Sequence, residues 1–357
     1  MLVAFRVDAS LAIGNGHVMR CLTLAEELKN KGAEIIFISR NWVGNLLHFV
    51  QNKGYTAFTI ETLDDATRSN CEALLSDWQS DAIHTIKKLE NKTVDLLVVD
   101  HYGLDHQWET QMRSFCNRLM VIDDLANRQH NCNLLLDQNP GRSHLDYQNL
   151  IRYDAKVLAG TDYALIRREF VQSRSKSLEQ RKNRTLKKIL VSMGGVDLLN
   201  ASAIILHKLN GIELNFEIEI DVVVGLTSPW LQNLKDQAMT MKWPTHIISN
   251  SEDMARLLLI ADIAIGAAGT SSLERCCMGL PTIQFALVNN QKNTAQELER
   301  QNAAATLDFN HFSSSDIKQL INQLSNPIQL SMMQEQASSI VDGNGPQRVA
   351  QEILHAY

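Results

Sequence analysis

The chain has 357 residues, of which 45% are hydrophobic and 21% are charged, and its formal net charge is −6 at pH 7. This length and composition favour a globular protein with two domains. A mildly acidic surface attracts neither nucleic acid nor an anionic membrane, so the charge argues against both as main partners.

The distribution of apolar residues and cysteines predicts a cytoplasmic protein. The chain has no uninterrupted apolar run of about 18 residues, so no transmembrane helix is expected. Arg6 and Asp8 interrupt the apolar run near the N-terminus, so no secretory signal is expected either. The six cysteines, of which Cys71 is one, are scattered and form no Cys-x-x-Cys pair, as is typical of a reducing compartment.

Short apolar runs alternate with helical patterns along the whole chain, which predicts parallel sheets joined by helical crossovers. The strands predicted in the first half are 2–7, 34–39, 55–60, 95–100, 119–122 and 133–136. Those predicted in the second half are 188–192, 217–224, 246–249, 263–265, 281–285 and 303–307. Each half is therefore predicted to be a doubly wound α/β domain of the Rossmann type.

A polar, basic stretch, SRSKSLEQRKNRTLKK, lacks an apolar period and predicts a linker at residues 172–187. We therefore expect an N-terminal domain at 1–171 and a C-terminal domain at 188–357, whose terminal helix could pack on either half. Two such sheets are expected to face each other across a cleft lined by the carboxyl ends of their strands, where ligands of these folds usually bind.

The first candidate site lies in the stretch AFRVDASLAIGNGHVMRCLTLAEEL, where a strand leads into an amphipathic helix predicted to begin at His17. Gly14 and Gly16 allow a ligand to approach the backbone closely, and free N–H groups at a helix start attract an anion. The pattern Gly-Asn-Gly-His, in which the asparagine is Asn15, is not the dinucleotide fingerprint G-x-G-x-x-G. It therefore does not indicate a nicotinamide cofactor. An imidazole in the first helical turn is favoured in its neutral form, which suits a base. The alternative is a histidine that caps the helix or packs in the core.

Further polar residues follow the fourth predicted strand, in the stretch VVDHYGLDHQWE. The ring and hydroxyl of Tyr102 suit a sugar, although polar groups at a strand end also serve to fix a loop. A zinc site is not expected, because the spacing of the nearby histidines and cysteine matches no compact zinc motif. Those side chains are His101, His106, His130 and Cys132.

In the second half, two glycine-containing loops precede predicted helices. Gly194–Gly195 follow a strand and offer backbone amides to a phosphate, although two glycines there are also a common tight turn. The stretch IAIGAAGTSSLERCC leads through Gly269, Thr270 and Ser271 into a helix whose N–H groups suit a pyrophosphate. Its Glu274 can accept both hydroxyls of a ribose, and a capping box is the alternative role for this carboxylate.

Two other patterns bear on the chemistry. The stretch VNNQKNTAQEL begins another helix with Asn289, Asn290 and Gln291, whose side chains suit sugar hydroxyls, although N-capping alone explains one of them. The chain has neither a G-x-S-x-G elbow nor a G-x-x-x-x-G-K-[ST] loop, so acyl transfer by a serine and P-loop chemistry are not expected.

Several stretches resemble the bacterial hydrolases of UDP-2,4-diacetamido-2,4,6-trideoxy-β-L-altropyranose in pseudaminic acid biosynthesis. They include RVDASLAIGNGHVMRCLTLAEEL, VVDHYGLD, VIDDLANRQHNCNLLLDQN, YALIRREF, SMGGVDLLNAS and AIGAAGTSSLERCCMGLPTI, and the resemblance extends from about residue 3 to residue 300. This family is related to glycosyltransferases of the GT-B type, including the N-acetylglucosaminyltransferase of peptidoglycan precursor synthesis. The resemblance therefore implies a GT-B-like fold with two Rossmann-like domains.

The resemblance also implies roles for individual residues. His17 is the general base, Glu274 contacts the uridine ribose, and the loops at Gly194–Gly195 and Gly269–Ser271 hold the diphosphate. The hexose faces Asn290 and Gln291, while Arg167 matches a family position whose role is open. The remaining expected substrate-binding residues are Asp8, Gly14, Asn15, Gly16, Tyr102 and Thr270.

The implied reaction is attack of water on the anomeric carbon of a UDP-sugar, with loss of UDP and inversion. It requires neither a metal nor a cofactor, because UDP is a good leaving group and backbone amides can stabilise its charge. Two alternatives stay open: a GT-B glycosyltransferase that moves an amino sugar to an acceptor, and a sensor that binds a UDP-sugar.

Overall fold

The computed structural model describes residues 1–60, 77–90, 92–226, 228–249 and 253–355. Cys71 lies outside these residues. The chain forms two compact units. The first comprises Met1–Leu165 together with Asn344–Tyr357, and the second comprises Ile166–Gly343.

Each unit contains one parallel sheet. The strands of the first unit are β1 Leu2–Val7, β2 Glu34–Arg40, β3 Thr56–Ile60, β4 Val94–Asp100, β5 Cys116–Ile122, β6 Leu134–Asp137 and β7 Lys156–Ala159. Those of the second are β8 Lys188–Ser192, β9 Glu219–Val224, β10 Thr245–Ser249, β11 Ile263–Ala267, β12 Thr282–Phe285 and β13 Ala305–Leu307. The strand orders are β3-β2-β1-β4-β5-β6-β7 and β10-β9-β8-β11-β12-β13.

Helices connect these strands. In the first unit they are α1 Gly16–Asn30, α2 Leu47–Asn52, α3 Trp78–Leu89, α4 His106–Met112 and the C-terminal α13 Gly345–His355. In the second they are α5 Arg168–Arg181, α6 Ala201–Asn210, α7 Leu231–Ala238, α8 Met254–Ile260, α9 Ser271–Cys277, α10 Lys292–Arg300, α11 Ser314–Ser325 and α12 Pro327–Ile340. No helix within the described ranges has the length and apolar character needed to cross a bilayer.

The predicted strands are confirmed, with ends that differ from the prediction by at most three residues. Sequence analysis missed β7, which spans only Lys156–Ala159 at the edge of the first sheet. Four residues are too few to show an alternation of apolar and polar side chains. All strand pairs in the two sheets are parallel, as expected.

The division of the chain differs from the expected boundary at 172–187. Most of that stretch belongs to α5, which buries Phe170, Ser177 and Arg181 in the second unit. Its apolar period is absent because polar groups anchor it: the Ser177 hydroxyl donates to the carbonyl of Met278, and Arg181 donates to backbone carbonyls. The strongly polar composition of this segment therefore predicted a linker where the chain forms a half-buried helix.

The C-terminal helix belongs to the first unit, although the expected boundary placed it in the second domain. Val349, Ala350 and Ile353 of α13 recur at helical spacing and join the core on which α1 also packs. Each large aliphatic side chain buried in this way contributes about 1.5–3 kcal/mol. Burial of one apolar stripe thus explains why the chain returns to its first sheet.

The first helix places the candidate base. Its predicted apolar face is buried against the sheet through Val18, Cys21, Leu22, Ala25 and Leu28. Because α1 follows β1 directly, its N-terminus lies at the carboxyl end of the parallel sheet, where such folds bind ligands.

Candidate functional site

His17 lies in the first turn of α1 and is held by a carboxylate from the neighbouring strand. Its Nδ1 is 2.6 Å from Oδ1 of Asp100, the last residue of β4. Strand pairing explains the contact, since Asp100 is in register with Val7 at the end of β1. A carboxylate at this distance accepts the Nδ1 proton, which leaves Nε2 of a neutral ring with a free lone pair. The His17 residue as a whole is only 8% exposed.

Arg20, one helical turn after His17, neutralises the same carboxylate. Its Nε and Nη2 donate to the two oxygens of Asp100, each at 2.6 Å. Nη2 also lies 3.1 Å from Nδ1 of His17, but both atoms carry protons in this tautomer, so the bond is to Asp100. Burial opposes ionisation of Asp100, yet Arg20 and His17 outweigh it and hold the pKa of the carboxyl well below its usual range.

Tyr102 and Asp124 complete the surroundings of the imidazole. The Tyr102 ring meets the His17 ring edge-on, with 4.6 Å between centroids, and its hydroxyl donates to Oδ2 of Asp124 at 3.0 Å. Arg20 Nη1 donates to the same oxygen at 3.1 Å. Ile13, His17 and Tyr102 help to line a cavity of about 10 Å³, which is room for about one water molecule. The side chains around His17 therefore suit a single small reactant.

Asp8 touches this cavity, but its carboxylate is committed to the fold. It accepts hydrogen bonds from the Arg6 guanidinium, the Ser39 hydroxyl, the Arg40 amide and the Trp42 indole. Only 1% of the residue is exposed. These donors occupy the acceptor positions of the carboxylate and leave it little capacity for another donor. A contact of Asp8 with substrate stays a prediction.

The glycines before α1 adopt the predicted turn. Gly14 has φ +78° and its amide donates to the carbonyl of Ser10, and the helix then begins at Gly16. Asn15 precedes the helix, but its side chain does not cap it. The structure thus brings Gly14, Asn15 and Gly16 next to His17 at one end of the sheet.

In the second unit, the two loops after β8 and β9 pack closely. Gly194 has φ +111°, and the carbonyl of Gly195 accepts the amide of Gly225 at 2.7 Å. The carboxylate of Asp197 accepts the amides of Ala201 and Ser202, at 2.8 and 2.9 Å. The helix predicted after this loop is confirmed as α6, and Asp197 caps it. A phosphate on this loop would therefore depend on the Gly194–Gly195 backbone rather than on the helix end.

Glu274 does not form the capping box that its position allowed. Its Oε1 accepts a hydrogen bond from Nε of Arg167 at 2.8 Å, and the Thr270 side chain makes no cap. Although burial opposes the charge of Arg167, the Glu274 carboxylate raises its pKa. Arg167, whose role the sequence left open, thus orients the carboxylate expected at the ribose.

The residues expected at the hexose lie beside the Gly269 loop. Asn289–Gln291 form one short 3-10 turn before α10, and Gln291 Oε1 accepts the amide of Leu287 at 2.9 Å. A Cβ added to Gly269 would lie 3.5 Å from Nε2 of Gln291, so these segments are adjacent. Ser271 Oγ accepts a hydrogen bond from Arg275. The second unit therefore gathers Gly269, Ser271 and Gln291, while the Asn290 residue is exposed.

Sequence analysis missed several residues that hold these groups. Asp100 was noted only as a strand-end residue, and Arg20, Asp124 and Arg275 were not singled out. The spacing of three residues between His17 and Arg20 places both on one helix face, which was a usable signal. Contact with Asp124 depends on the order of the strands and was not visible in the sequence.

One group within the described ranges has the donor types of a metal site. Glu219, Asp221 and His246 place a ligand atom each within 4.8 Å of one another. Nζ of Lys188, however, donates to Glu219 at 2.6 Å and to Asp221 at 3.2 Å. The ammonium already supplies the positive charge that a cation would bring.

Comparison with known proteins identifies the family. A family model described as the glycosyltransferase family 28 C-terminal domain matches residues 156–352, which is 197 of the 357 residues. The chain belongs to glycosyltransferase family 28. The matched region includes the loops at Gly194–Gly195 and Gly269–Ser271 described above.

Three relatives of this family 28 member are about one quarter identical to it in sequence. The chain is 24% identical over 302 residues to a UDP-2,4-diacetamido-2,4,6-trideoxy-beta-L-altropyranose hydrolase of Campylobacter jejuni, which covers 84% of the chain and 97% of that protein. It is 24% identical over 366 residues to the spore coat polysaccharide biosynthesis protein SpsG of Bacillus subtilis. This match covers 100% of the chain and 99% of SpsG. An uncharacterized protein of Methanocaldococcus jannaschii is 25% identical over 293 residues, covering 79% of the chain. The chain spans about half of that archaeal protein, namely 55%.

Solved structures agree on the fold. MurG of Acinetobacter baumannii superposes with a TM-score of 0.68 at 15% identity, covering 99% of both chains. The UDP-GlcNAc 2-epimerase of Neisseria meningitidis, bound to UDP-GlcNAc, has a TM-score of 0.64 at 13% identity, covering 100% of this chain and 99% of the epimerase. The predicted fold class is confirmed as a GT-B fold with two Rossmann-like domains.

Proposed function

We propose that the chain is a hydrolase that cleaves the anomeric C1–O bond of a UDP-2,4-diacetamido-2,4,6-trideoxyhexose in pseudaminic acid biosynthesis. The observation that carries the proposal is the 2.6 Å contact between His17 Nδ1 and Asp100, which suits the ring to accept a proton at Nε2. The relative from Campylobacter jejuni that bears this name supports the substrate class.

The first unit supplies the base. His17 Nε2 takes a proton from water, the water oxygen bonds to C1, and the C1–O bond breaks with its electron pair going to UDP. Asp100 keeps the ring in the required tautomer and stabilises the imidazolium that forms. Arg20 fixes Asp100 through two hydrogen bonds and is therefore a positioning residue. A single displacement of this kind inverts the configuration at C1.

The second unit holds the nucleotide. Glu274, oriented by Arg167, accepts the ribose hydroxyls, and the Gly194–Gly195 and Gly269–Ser271 loops receive the diphosphate on backbone amides. Such fixed donors stabilise the charge that develops on UDP as it leaves. Gln291, beside Gly269, and Asn290 contact the hexose, for which the adjacency of Gln291 and Gly269 is the structural support.

Incubation with substrate alone tests the reaction. The purified protein is mixed with a UDP-2,4-diacetamido-2,4,6-trideoxyhexose in water enriched in ¹⁸O, and the anomeric signal is followed by NMR. We expect UDP, free sugar of inverted configuration, and the label on the sugar. Label on UDP would contradict attack at C1, and binding without release would indicate a sensor.

A second candidate is glycosyl transfer, which membership of glycosyltransferase family 28 favours. Transfer and hydrolysis differ in whether an acceptor hydroxyl or water receives the sugar. A transferase would release UDP only when an acceptor is added, so rapid release without acceptor decides for hydrolysis.

Replacement of the base tests its role. We expect His17→Gln to lower turnover by about 10²- to 10⁴-fold and to leave UDP affinity unchanged in calorimetry. The matched control is His84→Gln in α3 of the same unit, where Nδ1 contacts the carbonyl of Ser80 at 2.8 Å, and it should keep its activity. Near-normal turnover of the His17 variant would refute the assignment.

A further inference from the structure

Arg275 of α9 is a buried cation without a counterion among the described residues. It is 2% exposed; Nη2 donates to the carbonyl of Ala267 at 2.8 Å, and Nη1 donates to Ser271 Oγ at 3.2 Å. Its Nε has no hydrogen-bond partner in the described part of the chain, and no carboxylate there pairs with it. The adjacent carboxylate of Glu274 bonds to Arg167 instead.

An unpaired buried charge is costly, because the protein interior does not replace the hydration that the ion loses. Burial lowers the pKa of Arg275 to about 10, so the guanidinium is still protonated at neutral pH. A charge that persists under these conditions is expected to have a compensating partner.

Arg181, in the same unit, shows how a buried guanidinium is satisfied by the fold alone. Nε donates to the Ser177 hydroxyl and to the carbonyl of Met278, Nη1 to the carbonyl of Ala261 and Nη2 to that of Leu258. Two of these carbonyls lie at the C-terminal end of α8, where the helix dipole favours a cation. Arg181 therefore has a structural role, whereas Nε of Arg275 has no acceptor in the part of the chain that the structure describes.

The position of Arg275 points to its partner. Ser192 ends β8 and is in register with Gly266 of β11. A Cβ added to Gly266 would lie 2.9 Å from Nη1 of Arg275 and 2.9 Å from the carbonyl of Ser192. The guanidinium thus lies beside the carboxyl ends of both strands. From these ends arise the Gly194–Gly195 and Gly269–Ser271 loops, so the charge is close to both.

We propose that Arg275 is a positioning residue for the diphosphate, whose negative charge compensates the buried guanidinium through the two loops. This inference rests on the proposed function, which assigns the diphosphate to those loops. A fixed cation needs no reorganisation as charge grows on the departing UDP. Its bonds to Ala267 and Ser271 also hold the second loop in shape.

Affinity for UDP relative to uridine tests the inference, because uridine lacks the diphosphate. We expect Arg275→Met to weaken UDP binding by about 10-fold or more while uridine binding is unchanged, and the UDP affinity that remains should depend less on salt. Arg275→Lys keeps the charge and should restore most of the preference for UDP. Arg275→Gln provides the same comparison if the methionine variant does not fold. Calorimetry at two salt concentrations gives the affinities.

The control is Arg181→Met, which should lower the melting temperature and leave the ratio of UDP to uridine affinity unchanged. An unaltered UDP affinity in Arg275→Met, or an equal loss for UDP and uridine, would overturn the inference. Wild-type protein that binds neither ligand would instead contradict the proposed function. The two failures are therefore distinguishable.

Discussion

The two units handle charge in opposite ways. Around His17 in the first unit, every formal charge has a partner: Asp100 holds the ring, Arg20 holds Asp100, and Asp124 accepts from Arg20. In the second unit, buried Arg275 has no carboxylate partner within the described ranges. When every charge has a partner, as around His17, the network can hold the proposed base in place before substrate binds. When a buried charge has no partner, as at Arg275, an anionic ligand can stabilise it. Substitutions in the His17 network should change turnover, and those at Arg275 and Glu274 in the second unit should change UDP affinity.

Among the substitutions that compare the two units, the largest effect on turnover is expected for Asp100→Asn. An amide in place of the carboxylate no longer selects the Nδ1 proton, so turnover should fall by about 10³-fold while UDP affinity is retained. The matched control is Asp95→Asn near the other end of β4, where the carboxylate bonds to the Leu2 amide and the Asn117 side chain. Steady-state kinetics and UDP titration measure both properties. Loss of UDP affinity in the Asp100 variant would break the contrast between the units.

The first unit also contains a carboxylate, Asp137, whose negative charge is not fully balanced by its neighbours. It provides a further test of the comparison. The Tyr147 hydroxyl has one hydrogen, yet it lies 2.9 Å from Oδ2 of Asp123 and 2.8 Å from Oδ2 of Asp137. Burial raises the pKa of Asp137 to about 7, despite Arg142 at 3.1 Å, and nearby Asp124 adds to the increase. A protonated Asp137 can donate to Tyr147, which then donates to Asp123.

This raised pKa predicts a loss of stability with rising pH. Between about pH 4 and pH 7 the folded state binds the Asp137 proton and the unfolded state does not, so the free energy of unfolding decreases over that window. We expect Asp137→Asn to remove a decline of up to about 4 kcal/mol, at about 1.4 kcal/mol per pKa unit. Urea unfolding from pH 4 to pH 8 measures the slopes. Parallel curves for the two proteins would show that Asp137 is ionised throughout.

Glu274→Gln tests whether the second unit determines UDP affinity. The amide keeps the size of the side chain but weakens its bond to Arg167 and the proposed bonds to ribose hydroxyls, so UDP affinity should fall by about 10-fold. Turnover at saturating substrate should change little. Glu299→Gln, at a carboxylate that accepts the Thr306 amide, is the control and should bind UDP normally. A selective loss of turnover in the Glu274 variant would contradict the division of roles.

The smallest effect is expected for Tyr102→Phe. The ring still meets His17 edge-on while the hydroxyl bond to Asp124 is lost, so turnover should fall by about two- to five-fold. Tyr102→Leu also removes the ring and should reduce turnover further. Equal turnover of the two variants would show that ring packing does not position the imidazole.

Sequence patterns predicted the sheets well and the division of the chain poorly. Buried parallel strands are continuous apolar runs, which is why β1, β4 and β8 were evident. The polar sequence of α5 predicts a linker instead of a helix, because Arg181 and Ser177 anchor the helix through carbonyls that only the fold brings near. Edge strand β7 was too short to produce a pattern.

At the candidate site, residues next to one another in sequence were predictable and their partners were not. The Gly-Asn-Gly-His turn marked His17, and the small-residue loop marked Gly269 to Glu274. The partners of these residues come from elsewhere in the chain: Asp100 lies 83 residues from His17, and Arg167 lies 107 residues from Glu274. Such pairs depend on strand order, which local patterns do not specify.

The return of α13 to the first sheet has a consequence for synthesis on the ribosome. The strands of the first unit emerge before those of the second, but the apolar side of α1 lacks Val349, Ala350 and Ile353 until the second unit has been translated. The second unit, encoded by the continuous stretch Ile166–Gly343, has all its residues earlier. The unit that contains the imidazole is therefore begun before the second unit and completed after it.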